Sequence, residues 1–167
     1  MATHAPRLFP SLSDERLYTY LPEDPPTSVA ALTERYGRWS GRRSPDGREV
    51  WLNWALRLRT KAEYVGVVQV TARADGSALL AYILFTSFQR KGYAREACSR
   101  VLEHLATDYG IHLAIAEIDT RNQRSIALVE SLGFVRTATT RAADYFNGAS
   151  SDEYRYELSL PRDEPAH

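Results

Sequence analysis

A short basic turn at residues 89–94 is the part of the sequence best suited to binding an anion. It reads Gln-Arg-Lys-Gly-Tyr-Ala, and the apolar residues after it recur at three- and four-residue spacing until Gly110, which predicts an amphipathic helix. The first N–H groups of a helix lack intrahelical partners and lie at the positive end of its dipole, so they stabilise an anion. A phosphate group is the expected ligand. The predicted binding residues are Gln89, Arg90, Lys91, Gly92, Tyr93, Ala94 and Arg95.

Small side chains at two positions keep this helix start open. Gly92 has no side chain, so a ligand can approach the backbone, and Ala94 leaves the first turn equally accessible. The same features also fit an ordinary solvated helix start, because glycine and basic residues are common there. The turn therefore needs support from a second motif.

A second strand and helix follow the first pair along the chain. An apolar strand at residues 79–85 precedes the basic turn, and residues 113–118 form the next predicted strand. Residues 122–125, Asn-Gln-Arg-Ser, then begin a short helix that ends at the Leu-Gly-Phe segment, residues 132–134. Two motifs in this order and at this separation are more specific than either one alone.

Together the two units resemble the GNAT superfamily of acyl-CoA-dependent N-acetyltransferases. Residues 89–94 match the family's Gln/Arg-x-x-Gly-x-Gly/Ala coenzyme loop at each fixed position, and the Asn-x-x-Ser helix that ends in Leu-Gly-Phe matches its next motif. The resemblance covers about residues 65–160 and is closest to the ribosomal-protein N-terminal acetyltransferases, the RimJ/RimL branch. It implies a mixed α/β fold in which helices flank a central, mostly antiparallel sheet with one parallel pair.

The resemblance implies acetyl-CoA as the cosubstrate and no metal ion. In the family the pantetheine arm pairs like a strand with the end of the strand before the coenzyme loop, which here implies the backbone of Tyr82, Leu84 and Phe85. Two neighbouring strands splay apart at that point, so their unpaired amide groups need partners. The Asn122 side chain completes the predicted coenzyme site, although an asparagine at this position also suits a helix N-cap.

Protonation of the departing thiolate is expected to involve the second helix. Many family members place a tyrosine seven residues after the asparagine, but that position here is Val129. Ser125 is therefore the candidate proton donor, because the similar ribosomal-protein branch has a serine at this position with a proposed proton-donating role. The alternative is that Ser125 only bonds to the backbone at the helix start.

The acceptor amine requires a base, because a free alkyl amine is mostly protonated at neutral pH. Asp144 begins an Asp-Tyr-Phe-Asn-Gly segment that resembles an acidic-Tyr-x-Asn-Gly loop of the ribosomal-protein enzymes, whose carboxylate is assigned this role. Asp144 is therefore the predicted base, and Glu117, on the strand that borders the cleft, is the alternative. A further possibility is that both carboxylates are only solvated surface groups.

Composition indicates one ordinary folded domain that spans residues 1–167, with residues 1–10 and 162–167 expected to be disordered tails. The chain is 44% hydrophobic and 25% charged, which is enough apolar material for a sizeable core. Lys plus Arg equals Asp plus Glu at 21 each, so no global field attracts nucleic acid or a membrane, and any anion site must be local.

Cys98 is the single cysteine, which excludes an internal disulfide. It lies on the apolar side of the helix after the basic turn, so a buried thiol in a reducing compartment is expected. The sequence contains no secretory signal segment and no apolar run long enough to span a bilayer. The cytoplasm is the predicted location.

Hydrophobic patterning and turn residues predict the remaining elements. The predicted helices cover residues 11–20 and 27–36, and a basic loop covers residues 38–48. An antiparallel meander comprises strands at residues 49–59, 64–72 and 79–85, the last two joined at Asp75-Gly76. A final antiparallel pair comprises residues 135–142 and 153–160, joined by a loop that contains residues 144–148.

The predicted function is transfer of acetyl from acetyl-CoA to a primary amine by direct attack in a ternary complex. The acceptor is a protein N-terminus or a small-molecule amine, and the protein is expected to be a monomer or homodimer. One alternative is a non-catalytic acyl-CoA-binding regulatory module. Another is an RNA-binding protein that uses the basic loop, but the neutral net charge opposes this.

Overall fold

A six-stranded mixed sheet forms the centre of the protein. The structure is a computed structural model, and it describes residues 1–161. The strands are β1 (Glu49–Arg57), β2 (Tyr64–Arg73), β3 (Ser77–Leu84), β4 (Leu113–Asp119), β5 (Val135–Phe146) and β6 (Ala149–Ser159). Their spatial order is β1-β2-β3-β4-β6-β5, and β3 and β4 form the parallel pair. This confirms the predicted fold class.

Helices cover both faces of this sheet. They are α1 (Ala5–Leu12), α2 (Val29–Trp39), α3 (Tyr93–Tyr109) and α4 (Gln123–Ser131). Alternation along β2 directs Val67 towards α1 and α2 and Val68 towards α3 and α4, so each face has its own core. Cys98 lies fully buried on α3 within the second of these cores, as its position on the apolar side predicted. Among residues 1–161, no helix combines the length and apolar character needed to cross a membrane.

The antiparallel meander of β1, β2 and β3 is confirmed. The tight turn between β2 and β3 places Gly76 at a φ of 79°, in the left-handed region that favours glycine. The Asp75 carboxylate accepts hydrogen bonds from the backbone N–H and the hydroxyl of Ser77. A Cβ at Gly76 would lie 2.4 Å from the His112 ring, so the position also requires glycine for close packing.

The prediction of a disordered segment at residues 1–10 is wrong. The chain forms a 3₁₀ turn at Ala2–His4 and then α1, in which Ala5 and Leu8 are fully buried. Pro6 lies in the first turn of α1, where a missing N–H costs nothing, so this proline does not oppose the helix. The helix predicted at residues 11–20 is also absent, because α1 ends at Leu12 and a 3₁₀ turn covers Glu15–Tyr18. Residues 162–167 lie outside the described part of the chain.

The last hairpin is longer than predicted. β5 continues to Phe146 and β6 begins at Ala149, so the turn is reduced to Asn147 and Gly148. Both residues have positive φ values, 50° and 73°, as a two-residue hairpin turn of the Asn-Gly kind requires. Asp144 therefore lies within a strand and not in a loop.

A gap opens in the sheet between the two parallel strands. β3 and β4 pair only where Ser77, Ala78 and Leu79 lie beside Leu113, Ala114 and Ile115. Beyond this point β3 follows β2 as far as Leu84, whereas β4 follows β6 as far as Asp119. The edges of β3 and β4 that face each other are therefore unpaired beyond Leu79 and Ile115, as the splayed-strand prediction required.

Gly66→Ala is expected to destabilise the protein by about 1–3 kcal/mol because it separates β2 from the end of β3. Gly66 pairs with Leu84 at the end of β3, and a Cβ there would lie only 2.3 Å from the carbonyl oxygen of Ile83. Because the obstacle is backbone, β2 and β3 must move apart. Chemical denaturation measures the change, and Gly37→Ala in an open position of α2 is the control, which we expect to be neutral or stabilising. Equal unfolding free energies for the two variants would contradict this.

Candidate active site

A cavity of about 690 Å³ lies at the gap between β3 and β4. Its walls come from four parts of the chain: the end of β3, the turn before α3, the start of α4, and the segment after α1. The cavity therefore joins the predicted anion-binding turn to the predicted second motif, which are separated in the sequence.

The start of α3 has the properties expected of an anion site. Gly92 is the N-cap with a φ of 83°, and no side chain caps the helix. The first hydrogen bond of the helix runs from the Glu96 N–H to the Gly92 carbonyl, at 3.0 Å. Within residues 1–161, the amides of residues 93–95 donate to no other protein group. These amides are therefore free to bind an anion.

Positive charge is concentrated around this cavity. Two of the arginines that line it form ion pairs, Arg16 with Asp14 and Arg121 with Asp119. The other arginines of the lining have no carboxylate within 4.0 Å among the described residues. They are Arg90, Arg95 and Arg124. Because the chain as a whole is neutral, this is a local cationic site of the kind that a group with several phosphates requires.

Gln89 connects β3 to α4 by two hydrogen bonds. Its Nε2 donates to the Leu84 carbonyl at 3.1 Å, and its Oε1 accepts from Arg124 Nη1 at 2.6 Å. Gln89 thus positions the turn before α3, and it occupies the Leu84 carbonyl, a backbone group that was expected to be free.

The structure does not bring every predicted coenzyme residue to the cavity. Phe85 is only 3% exposed, and its N–H donates to the Val65 carbonyl. Lys91 lies over the Phe88 ring at 5.4 Å, and Tyr93 packs against the same ring. In contrast, the remaining predicted residues line the cavity. These are Tyr82, Leu84, Gln89, Arg90, Gly92, Ala94, Arg95 and Asn122.

The start of α4 places Asn122 and Ser125 beside β3. Asn122 caps the helix, because its Oδ1 accepts from the Ser125 N–H at 3.2 Å. Ser125 lines the cavity, and the Tyr82 hydroxyl lies 3.5 Å from the Ser125 carbonyl oxygen. Val129 is fully buried in the core below this turn, so it contributes nothing to the cavity.

The carboxylates predicted for base catalysis lie on the face of the sheet that α1 and α2 cover. Glu117 accepts from Arg155 Nη1 at 3.3 Å, so its charge is partly neutralised. Asp144 is half-buried on β5 opposite Ser151, and none of the residues described pairs with its side chain. Neither Glu117 nor Asp144 lines the cavity.

Asp119 is held rigidly at the end of β4. Its carboxylate accepts two hydrogen bonds from the Arg121 guanidinium and one from the Ser151 hydroxyl, the last at 2.6 Å. Burial alone would raise the pKa of Asp119, but these hydrogen bonds outweigh burial and lower the pKa to about 2. Asp119 is therefore ionised at neutral pH and serves to orient Arg121.

The segment after α1, residues 16–21, covers one end of the cavity. The Thr86 hydroxyl donates to Asp14 at 2.7 Å, and Asn147 Nδ2 donates to the Thr19 carbonyl at 3.4 Å. The Arg121 guanidinium lies 5.9 Å from the centres of the Tyr20 and Phe146 rings. The segment after α1 is thus connected to the end of β3 and to the last hairpin.

Comparison with known proteins defines the family. Residues 1–135 match the family model described as acetyltransferase (GNAT) domain. The chain belongs to the GNAT acetyltransferase family. The narrower resemblance to the ribosomal-protein branch stays a prediction.

Two curated relatives are bacterial acyltransferases. The Bacillus subtilis (strain 168) protein "Uncharacterized N-acetyltransferase YoaA" is 25% identical over 114 residues, which are 67% of this chain and 64% of that protein. The Escherichia coli (strain K12) protein "L-amino acid N-acyltransferase MnaT" is 46% identical over 50 residues, which are 30% of this chain and 28% of that protein. The aligned region thus spans less than two thirds of either relative.

Among solved structures, the fold is similar to that of spermidine N-acetyltransferase from Vibrio cholerae in complex with CoA and spermine. The TM-score is 0.79 with 20% sequence identity, and the similarity covers 94% of this chain and 90% of that one. At this identity the likeness establishes the GNAT fold.

Glu153 is a feature of this GNAT domain that the sequence did not reveal. It lies on β6 opposite Asp119 of β4, half-buried, and no hydrogen bond or ion pair engages its side chain within residues 1–161. Burial raises the pKa of Glu153, and the charges of Glu117, Asp144 and Asp119 raise it further. Alternation along residues 153–160 was visible in the sequence, but the pairing of β6 with β4 was not.

Proposed function

We propose that this GNAT domain transfers an acetyl group from acetyl-CoA to a primary amine by direct attack in a ternary complex. The supporting observation is that free amides at the start of α3 share one cavity with the gap between β3 and β4 and with three arginines that have no carboxylate partner among the described residues. The diphosphate would lie against the helix start, and the pantetheine arm would extend along the open edge of β3.

The acceptor would approach from the carboxylate side of the sheet. An ammonium ion is attracted by Asp144 and Glu153, which lack ion-pair partners among the described residues, and by Glu117. Asp144 is the proposed base and Glu117 the alternative, although the Arg155 contact makes Glu117 a weaker acceptor of a proton. Glu153 joins them as a candidate because its environment favours the protonated form.

The reaction then proceeds in balanced steps. The carboxylate removes a proton from the ammonium, and the free amine nitrogen attacks the thioester carbonyl carbon. The C–S bond breaks as the tetrahedral intermediate collapses, the departing thiolate takes a proton from its donor, and the second proton that the amine nitrogen loses restores that donor. Ser125 is the proton donor proposed from the family resemblance, and its side chain lines the cavity. The products are the N-acetylated amine and CoA.

Release of free CoA thiol tests this function. The protein is incubated with acetyl-CoA and a panel that contains polyamines, amino acids and short peptides with free N-termini. The panel includes spermine because the Vibrio cholerae neighbour contains it, and peptides because of the resemblance to the ribosomal-protein branch. We expect amine-dependent release, with intersecting initial-velocity lines that indicate a ternary complex. Calorimetric CoA binding without turnover on any amine would instead identify a non-catalytic acyl-CoA-binding module.

A further inference from the structure

α4 lacks the tyrosine hydroxyl that serves the leaving thiolate in many family members. Val129, at the position where many family members have a tyrosine, is fully buried among core residues. The departing thiolate still requires a proton. The hydroxyl groups that reach the cavity where β3 meets α4 belong to Ser125 and Tyr82.

Tyr82 extends from β3 towards α4 across the cavity. Its Cα pairs with Val68, so its side chain lies on the face of the sheet that α3 and α4 cover, near the gap between β3 and β4. The hydroxyl lies 3.5 Å from the Ser125 carbonyl oxygen, which is the upper limit for a hydrogen bond. Because this bond is weak, the phenolic proton is available to a stronger acceptor in the cavity.

We propose that the Tyr82 hydroxyl, and not that of Ser125, donates the proton to the CoA thiolate. This inference rests on the proposed acetyl transfer. As the C–S bond breaks, the sulfur gains the electron pair and takes the phenolic proton, which leaves a Tyr82 phenolate. Solvent water or the proton removed from the acceptor amine restores the phenol before the next cycle.

The surroundings of Tyr82 suit a proton donor. Burial raises the pKa of the phenol, so it stays protonated over the working pH range. Burial also raises the pKa of the nearby Cys98 thiol to about 12, which shows that this side of the sheet disfavours the charged forms of acidic groups.

Tyr82→Phe tests the proposal, because it removes only the hydroxyl group. We expect kcat to fall by at least about 30-fold with an amine acceptor, whereas the Kd for acetyl-CoA and the thermal midpoint stay near those of the wild type. Tyr109→Phe is the matched control, since Tyr109 lies exposed at the far end of α3, and its kcat should change by less than about twofold. A kcat for Tyr82→Phe within about threefold of the wild type would overturn the proposal.

A change in the acidity of the Tyr82 hydroxyl distinguishes proton donation from a purely structural role. Replacement of Tyr82 by 3,5-difluorotyrosine keeps the hydroxyl but makes it more acidic, so the alkaline limb of kcat should move to lower pH. An unmoved limb would overturn the proposal, as would a loss of acetyl-CoA affinity or stability in proportion to kcat. A large loss in Ser125→Ala with little change in Tyr82→Phe would assign the donation to Ser125. Wild-type protein that acetylates no amine would contradict the proposed function itself.

Discussion

Gly92→Glu is expected to weaken CoA binding by at least about 100-fold, which corresponds to about 2.7 kcal/mol. The new carboxylate would lie at the positive start of α3, where the diphosphate is proposed to bind, and would repel that group. A Cβ at position 92 meets no protein atom within 4 Å, so the added side chain can enter the cavity without disturbing the core. Calorimetric titration with CoA measures the loss directly.

Gly47→Glu is the matched control for this variant. Gly47 has a similar positive φ of 72°, a Cβ there would also meet no protein atom within 4 Å, and the residue lies away from the cavity. Both variants introduce the same strain in left-handed backbone and the same charge, so a difference in CoA affinity reports the position alone. Equal affinities in the two variants would mean that the diphosphate binds elsewhere.

Asp144→Asn is expected to lower kcat by at least about tenfold at about pH 7, and by a smaller factor near pH 9.5. An alkyl ammonium group has an ordinary pKa of about 10.4, so at neutral pH almost every acceptor molecule must lose its proton to a base. At the higher pH a larger fraction of the amine is already free, and the carboxylate matters less. Steady-state kinetics with a saturating amine at both pH values measure the two factors.

Glu117→Gln and Glu153→Gln test whether one of these two carboxylates, and not Asp144, is the base. Burial and three neighbouring carboxylates raise the pKa of Glu153, so a reaction with Glu153 as base would lose rate as the pH falls through that raised value. In that case Glu153→Gln would remove the acid limb and lower kcat more than Asp144→Asn does. Equal losses at both pH values for Asp144→Asn would show that Asp144 is not the base.

The geometry of the turn before α3 could be predicted from the sequence because its properties are local. Gly92 adopts positive φ, the helix begins at the next residue, and the amides of the first turn follow from that start alone. The same holds for Asn122, whose side chain caps α4 through a contact three residues away. Short-range geometry is thus readable from residue types and spacing.

The environment of the carboxylates on the other face of the sheet could not be predicted in the same way, because it depends on contacts between distant parts of the chain. Glu153 gains its environment only when β6 pairs with β4 and β5, and no local pattern specifies those neighbours. The prediction for residues 1–10 was wrong for a related reason. Leu8 lies in a short segment bounded by two prolines, and the core cluster that it shares with Tyr36 and Val67 forms only in the folded chain. Tertiary packing outweighs local propensity at such positions.

The short contact between β3 and β4 also affects the stability of the whole protein. Within residues 1–161, three residue pairs join β3 to β4, and the core under α3 and α4 continues across both halves of the sheet. A pantetheine arm in the gap would add hydrogen bonds that the empty sheet lacks at its centre. Thermal unfolding is then linked to occupancy: the melting temperature rises with the logarithm of coenzyme concentration above the Kd. Abundance in a cell would consequently follow the supply of the cosubstrate.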